Sequence, residues 1–218
     1  MSRTKIRPLS QMGGYAVDPR QSVWRTVALV ALGWGVAAGT TGVAYLSLGM
    51  EVIPIMVGVV LCFAFVMFLG LLHRAVWLAF LAFGPALFVL VGAVQYAPES
   101  TLEQRGIRES VVIVADTAEA ESTDNHKFTL RRADGSEVEE KLGYDGDAWA
   151  PEVGDKLDII RDPEGEIPMD QADSVDAGGR MEGLIGGTVA WTLMALLAGR
   201  RGHIRRRKGL DSTLAQFL

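Results

Sequence analysis

The sequence is poor in the groups that most chemistry needs. It has one cysteine, Cys62, and three histidines, His73, His126 and His203. A single cysteine excludes an intrachain disulfide, so any folded part must be held by its own core. Asp, Glu, Lys, Arg and His are missing from the middle of every long apolar run. That argues against a pump or proton-coupled transporter, which places its sites and relays there. No phosphate-binding GxxxxGKS/T loop, no GxGxxG after a strand and no zinc spacing is present. No cofactor and no metal are therefore expected.

What the chain does have is long uncharged stretches. Of its 218 residues 49% are hydrophobic, and they cluster. Segments 26–48, 52–72 and 75–96 each run to about 20 residues, or roughly 30 Å as helix, the thickness of a bilayer core. A fourth, 183–199, is shorter. A cleaved signal peptide is the alternative for the first segment. The run is too long for one, and cleavage after Ala38 would leave a mature chain starting on an apolar stretch. A buried hairpin is the alternative for the second and third, but neither has the polar face of a globular helix.

Charge is sorted along the chain. Residues 1–25 hold Arg3, Lys5, Arg7, Arg20 and Arg25 against Asp18, and residues 97–180 hold 22 acidic against 9 basic side chains. After the fourth segment come Arg200, Arg201, Arg205, Arg206, Arg207 and Lys208, opposed by Asp211. Cations are retained on the cytoplasmic side. The first loop carries Glu51 and the second His73 and Arg74, so one topology satisfies every charged segment. In that topology both ends lie inside and the acidic region outside; the bias to Ala, Gly, Val, Arg and Asp, with few Lys and a single Asn, points to the cytoplasmic membrane of a bacterium as the expected location. The six terminal cations are then membrane-surface residues attracted to anionic lipid, worth up to about 1 kcal/mol each. No aromatic or groove-reading residues interleave them, which excludes nucleic acid as a partner.

The expected organisation is a cytoplasmic basic tail (1–25), a three-helix transmembrane region (26–96), a linker (97–109), a small β-domain (110–170), a second linker (171–182), the fourth transmembrane helix (183–199) and a basic tail (200–218). Small residues line helix one at Ala31, Gly35 and Gly39, with a second ridge at Ala38 and Gly42. Helix four carries Gly183 and Gly187, beside Gly186 and Ala190. Such ridges let backbones approach closely. The expectation is that Gly35, Gly39, Gly183 and Gly187 pack helices one and four together; homodimerisation is the alternative that the motif alone leaves open. Pro85, beside Gly84, should kink helix three.

The acidic region reads as strands. SVVIVADT (110–117) is β-branched. KFTLRR and EVEEKL (127–132 and 137–142) flank Ala133-Asp134-Gly135-Ser136, a hairpin pattern. Phe128, Leu130, Val138 and Leu142 should share the buried face, leaving Thr129, Arg131, Glu137, Glu139 and Lys141 in water. GDKLDIIRDPEGEIPM (154–169) gives another strand, ended by Asp162-Pro163, with a short strand after it. Four or five strands in about 60 residues fit an all-β barrel of the OB or SH3 type. Trp149 is expected to close one end of its core.

The strand Gly154-Asp155-x-Leu157-x-Ile159-x-x-Asp162-Pro163 resembles a motif in a widespread, uncharacterised class of actinobacterial multi-pass membrane proteins. There a small β-domain precedes the last transmembrane helix. The resemblance covers about residues 110–200; it implies a location and a fold, and no activity. A weaker similarity is to bacterial membrane proteins that carry an OB-type domain and work beside membrane proteases or lipid-domain scaffolds. Those place the domain at the chain end on the cytoplasmic side.

Catalysis and metal binding have little footing. His126 lies beside Ser122 and Asp124, but a triad draws its members from separate elements. No enzyme is expected. Asp145, Asp147, Asp170, Asp173 and Asp176 are carboxylates of the type calcium takes, but the EF-hand spacing is absent and a solvated, turn-forming surface is the reading. Two function classes remain. One is a non-enzymatic binding, sensing or scaffold protein acting through the acidic β-domain, with the bilayer, a protein partner or a second copy of itself as partners. The other is a small channel or permease subunit capped by that domain.

Overall fold

A computed structural model describes residues 19–73, 76–117, 125–145 and 150–207. Along the chain run α1 (Pro19–Leu46), α2 (Val52–His73), α3 (Val76–Leu81) and α4 (Phe83–Arg105). There follow β1 (Ile107–Asp116), β2 (Asn125–Arg132), β3 (Leu142–Asp145), β4 (Lys156–Arg161), β5 (Asp170–Gln171) and α5 (Ala177–Arg207). Four stretches are long and apolar enough to cross a membrane: Val23–Leu46, Val52–Leu72, Trp77–Arg105 and Ala177–Gly202. In none of them is more than 39% of the most apolar window buried inside the protein. Most of that apolar surface therefore faces outward, where a water-soluble fold would place polar side chains.

The helices are longer than the apolar runs. α1 begins at Pro19, inside the expected tail, because proline suits the first turn of a helix. α4 continues to Arg105 through the expected linker at 97–109, despite Pro98 within it. Past Pro98 the residues Glu99, Leu102 and Glu103 recur at helical spacing, and Glu99 and Leu102 are buried, so a packed face holds the segment in helix. α5 starts at Ala177 and ends at Arg207, taking in part of the second linker and much of the basic run. Arginine favours helix, and cations near a helix C-terminus complement its dipole.

The chain divides into two compact units, Met1–Ala38 with Val59–Leu90 and Ile185–Leu218, and Gly39–Gly58 with Val91–Leu184. The first is built round Trp191, which is fully buried and stacks on Phe65 at 4.1 Å between ring centroids. The helix break expected at Pro85 falls three residues earlier, at Ala82. Pro85 has no N–H for the carbonyl of Leu81, and the distorted turn lets the Ala82 carbonyl accept the Trp191 indole N–H at 3.1 Å.

The second unit holds a five-stranded antiparallel sheet in the order β3-β2-β1-β4-β5. Its core is Val111, Ile113, Phe128, Leu130, Val138, Leu142, Ile159 and Met169. The four residues expected to share the hairpin's buried face all do. The hairpin itself differs from expectation. Only Glu137 bridges back to Arg131, and regular pairing resumes at Phe128↔Leu142. Two extra residues on the returning side bulge out there. Glu139, Glu140 and Lys141 form no ladder, and the strand lies over Leu142–Asp145 instead. Gly135, at φ +86°, makes the turn, and the Asp134 carboxylate holds it by accepting the Ser136 N–H at 2.9 Å. Beside β5, Met169 donates its N–H to the Glu140 carboxylate at 3.1 Å, drawing the sheet's two edges toward each other.

Candidate functional site

Where α4 hands over to the sheet, the second unit builds a dense polar joint. β4 carries Ile159 and Ile160 in succession, and both are buried. Successive strand residues point to opposite faces. Ile159 enters the sheet core, while Ile160 joins Leu102, Ile167, Ala172 and Val175 in a second apolar cluster. Gly106 links α4 to β1, and a Cβ there would lie 2.6 Å from Ile160 and closer still to the Leu102 carbonyl. Only glycine lets helix and strand meet at that distance.

Asp162 ends β4 and fastens the same joint. Its carboxylate accepts the N–H groups of Glu164 (3.1 Å), Glu166 (3.0 Å) and Ile167 (3.3 Å) and the Arg105 guanidinium at 2.8 Å. Arg105 also pairs with Glu166 at 2.7 Å and with Glu164. Burial pushes the Asp162 carboxyl up, but the donors outweigh it and hold the group below the usual carboxylate range. This gives the Gly154–Pro163 motif a physical meaning. Gly154 turns the chain at φ +105°, Asp155 secures that turn by accepting the Glu152 N–H at 2.9 Å, and Asp162 fixes the loop after the strand.

The ends of the β core are polar. Glu109 lies on the same face of β1 as Val111 and Ile113. It accepts from Arg161 at 2.7 Å and from Arg132 at 2.8 Å, closing one end across three strands. Those two arginines hold its carboxyl low against the opposing effect of burial. At the other end His126 Nδ1 meets Asp116 at 2.5 Å, with the ring stacked on Phe128 and edge-on to Tyr144. His126 is thus paired across strands, with Asp116. Ser122 and Asp124 lie outside the described residues, as do Asp147 and Trp149 and the side chain of Asp145.

Two of the carboxylates weighed for calcium, Asp170 and Asp176, have local partners. Asp170 accepts the Ser174 hydroxyl at 2.8 Å, and Asp176 caps α5 through the Gly179 N–H at 2.8 Å. Two carboxylates of α4 complete that cap. Glu99 accepts the Asp176 N–H at 2.9 Å and Glu103 the Ala177 N–H at 3.0 Å, where the helix dipole favours negative charge. Glu99 also binds Arg180 Nε at 2.8 Å. Among the described residues no group of three or more His, Cys, Asp or Glu is placed to hold a metal.

Beside this cap lies a cavity of about 420 Å³ within the second unit. Gln95, Glu99 and Leu102 of α4, Arg180 of α5, Glu51, Lys141 and the 167–174 segment line it. None of Glu51, Gln95 or Lys141 was singled out as a site residue in the sequence, because they come from three separate stretches and form no motif. In the first unit, an entirely apolar groove of about 330 Å³ lies against Cys62, Phe63 and Gly84 and offers no polar chemistry.

The helix-packing glycines separate into two groups. Gly187 is buried, and a Cβ there would lie 2.9 Å from the Pro85 carbonyl oxygen and from Val89. Gly183 is half-buried. Gly35 and Gly39 are exposed with nothing within 4 Å of a Cβ, so this ridge does not pack α1 on α5. The two helices meet on a different face of α1, through Trp34, which donates to Thr192 at 3.2 Å, and Thr26, which lies against Gly199. Arg200 and Arg201 are exposed on α5. Arg205, Arg206 and Arg207 are helical, with side chains outside the described set, and Lys208 lies beyond it. No family, no curated protein and no solved structure matches the chain.

Proposed function

We propose that the chain is a multi-pass protein of the bacterial cytoplasmic membrane, with both termini inside and the β-domain outside, and that it binds or senses a ligand rather than transforming one. The observation that carries this reading is the polar cavity, walled by helix ends and β-domain together. Four apolar helices with outward-facing apolar surfaces support the membrane location. The positive-inside rule supports the orientation. The strand order and the approach of its edges support a partly open five-stranded barrel of the OB type. The Gly154–Pro163 motif supports membership of the actinobacterial class it resembles. Among the described residues, His126 is paired with Asp116 and the Glu99 carboxylate at the cavity is committed to the α5 cap and Arg180, which fits a binding role.

The channel reading draws on the exposed Gly35–Gly39 ridge, a surface on which copies could associate. Reconstitution separates the two. In vesicles loaded with a small-ion indicator, a binding protein gives no flux above empty vesicles. Flux proportional to protein content would establish the channel reading instead.

A further inference from the structure

We infer that the cavity beside the α5 cap takes a ligand in which a primary ammonium group stands next to a phosphate, as in ethanolamine phosphate. The inference rests on the binding reading above and names what is bound. Its first support is an orphan. Gln95 lines the cavity, and its Oε1 is buried with no hydrogen-bond partner. A buried acceptor left unpaired is costly; with almost no exposed surface of its own, it becomes a partner for an ammonium N–H once the amide turns toward the cavity that Gln95 lines. Glu51, exposed at the same cavity, has no partner among the described residues and adds the negative charge an ammonium needs.

The second support is the opposite sign on the same lining. Lys141 has no partner among the described residues. Arg180 commits Nε to Glu99, which leaves its outer nitrogens as donors. Lysine and arginine together suit a phosphate. A lining with both signs unspent matches a zwitterion better than a simple cation or anion. The volume fits too, since a head of about eight heavy atoms fills only part of a pocket in the small-ligand range.

The third support is depth. Gln95 and Tyr96 end the apolar run of α4, and Tyr96 meets Tyr45 edge to face at 6.3 Å. Tyrosines gather at the level of lipid headgroups. The cavity therefore stands where a phosphatidylethanolamine headgroup is available, though a free aminoalkyl phosphate has the same chemistry.

The test uses the purified full chain in detergent, titrated with short-chain phosphatidylethanolamine, the matching phosphatidylglycerol and free O-phosphoethanolamine, with binding read by native mass spectrometry. Binding of both amine compounds shows that the headgroup suffices. Binding of the lipid alone identifies the membrane as the source. Either result supports the inference, provided phosphatidylglycerol binds more weakly. Equal binding of phosphatidylglycerol, or no binding by either amine compound, overturns it. Gln95→Leu and Glu51→Gln should each weaken binding about tenfold or more. If Gln95→Leu fails to fold, exposed Glu51 decides, and wild-type affinity in Glu51→Gln overturns the inference. Maleimide labelling of a cysteine in the β-domain of intact cells reads the underlying proposal separately. A labelled domain with no amine binding refutes only the ligand, and a protected domain refutes the orientation whatever binds.

Discussion

A carboxylate whose side chain has no solvent-exposed surface keeps its charge only if donors surround it, and Asp162 has four. Replacing it with asparagine turns one acceptor oxygen into an NH₂ group that faces at least one donor, the Glu164 N–H, even when the amide oxygen keeps the three donors on the Oδ2 side. We expect Asp162→Asn to cost about 2 kcal/mol or more, seen as a lower unfolding midpoint of the purified protein followed by sheet circular dichroism. The acid dependence has a definite sign. The carboxyls of Asp162 and Glu109 are held below their ordinary range, so the folded state binds fewer protons than the unfolded one. Their stabilisation is complete at neutral pH and is lost as pH falls below about 4. Asp162→Asn should flatten that acid limb; an unchanged limb would remove Asp162 from the account.

At the scale of elements, close approach decides which helices touch. Gly187→Leu pushes a side chain into the backbone of α4 and is expected to destabilise by about 1–3 kcal/mol. At exposed Gly35 an added Cβ meets nothing within 4 Å, so Gly35→Leu should leave protomer stability within about 0.5 kcal/mol. Thermal unfolding of the two variants checks the contrast, and cross-linking of Gly35→Leu reports any loss of self-association. The existence of the helices, the β-domain and the buried face of the 127–142 hairpin was legible in the sequence, because apolar run length and strand alternation report burial directly. The helix ends were not. Glu99 and Glu103 are charged and Pro98 looks like a breaker, until the packing of Leu102 against Ile160 and the role of the two carboxylates in the α5 cap are known. The Gly35 ridge misled for a related reason: small-residue spacing shows that a close approach is permitted and does not identify the partner. Of the cavity, only the charge excess was legible, since Glu51, Gln95, Lys141 and Arg180 converge through tertiary folding alone.

For the whole molecule, orientation governs everything proposed about the cavity. An outward β-domain meets the periplasmic or external leaflet and its soluble ligands; an inward one meets the cytoplasm. The charge sorting that argues for the outward placement is a whole-chain property and needs a whole-chain measurement. Cys62 is the single native thiol and is buried, so Cys62→Ser gives a clean background. Glu139 is exposed in the β-domain, and Ser212 lies in the C-terminal segment. Intact cells carrying Glu139→Cys or Ser212→Cys are treated with a membrane-impermeant maleimide. The account predicts that Glu139→Cys reacts at once and Ser212→Cys only after lysis. Protection of Glu139→Cys until the cells are broken, with full reactivity afterwards, would contradict it and place the domain and its cavity inside the cell.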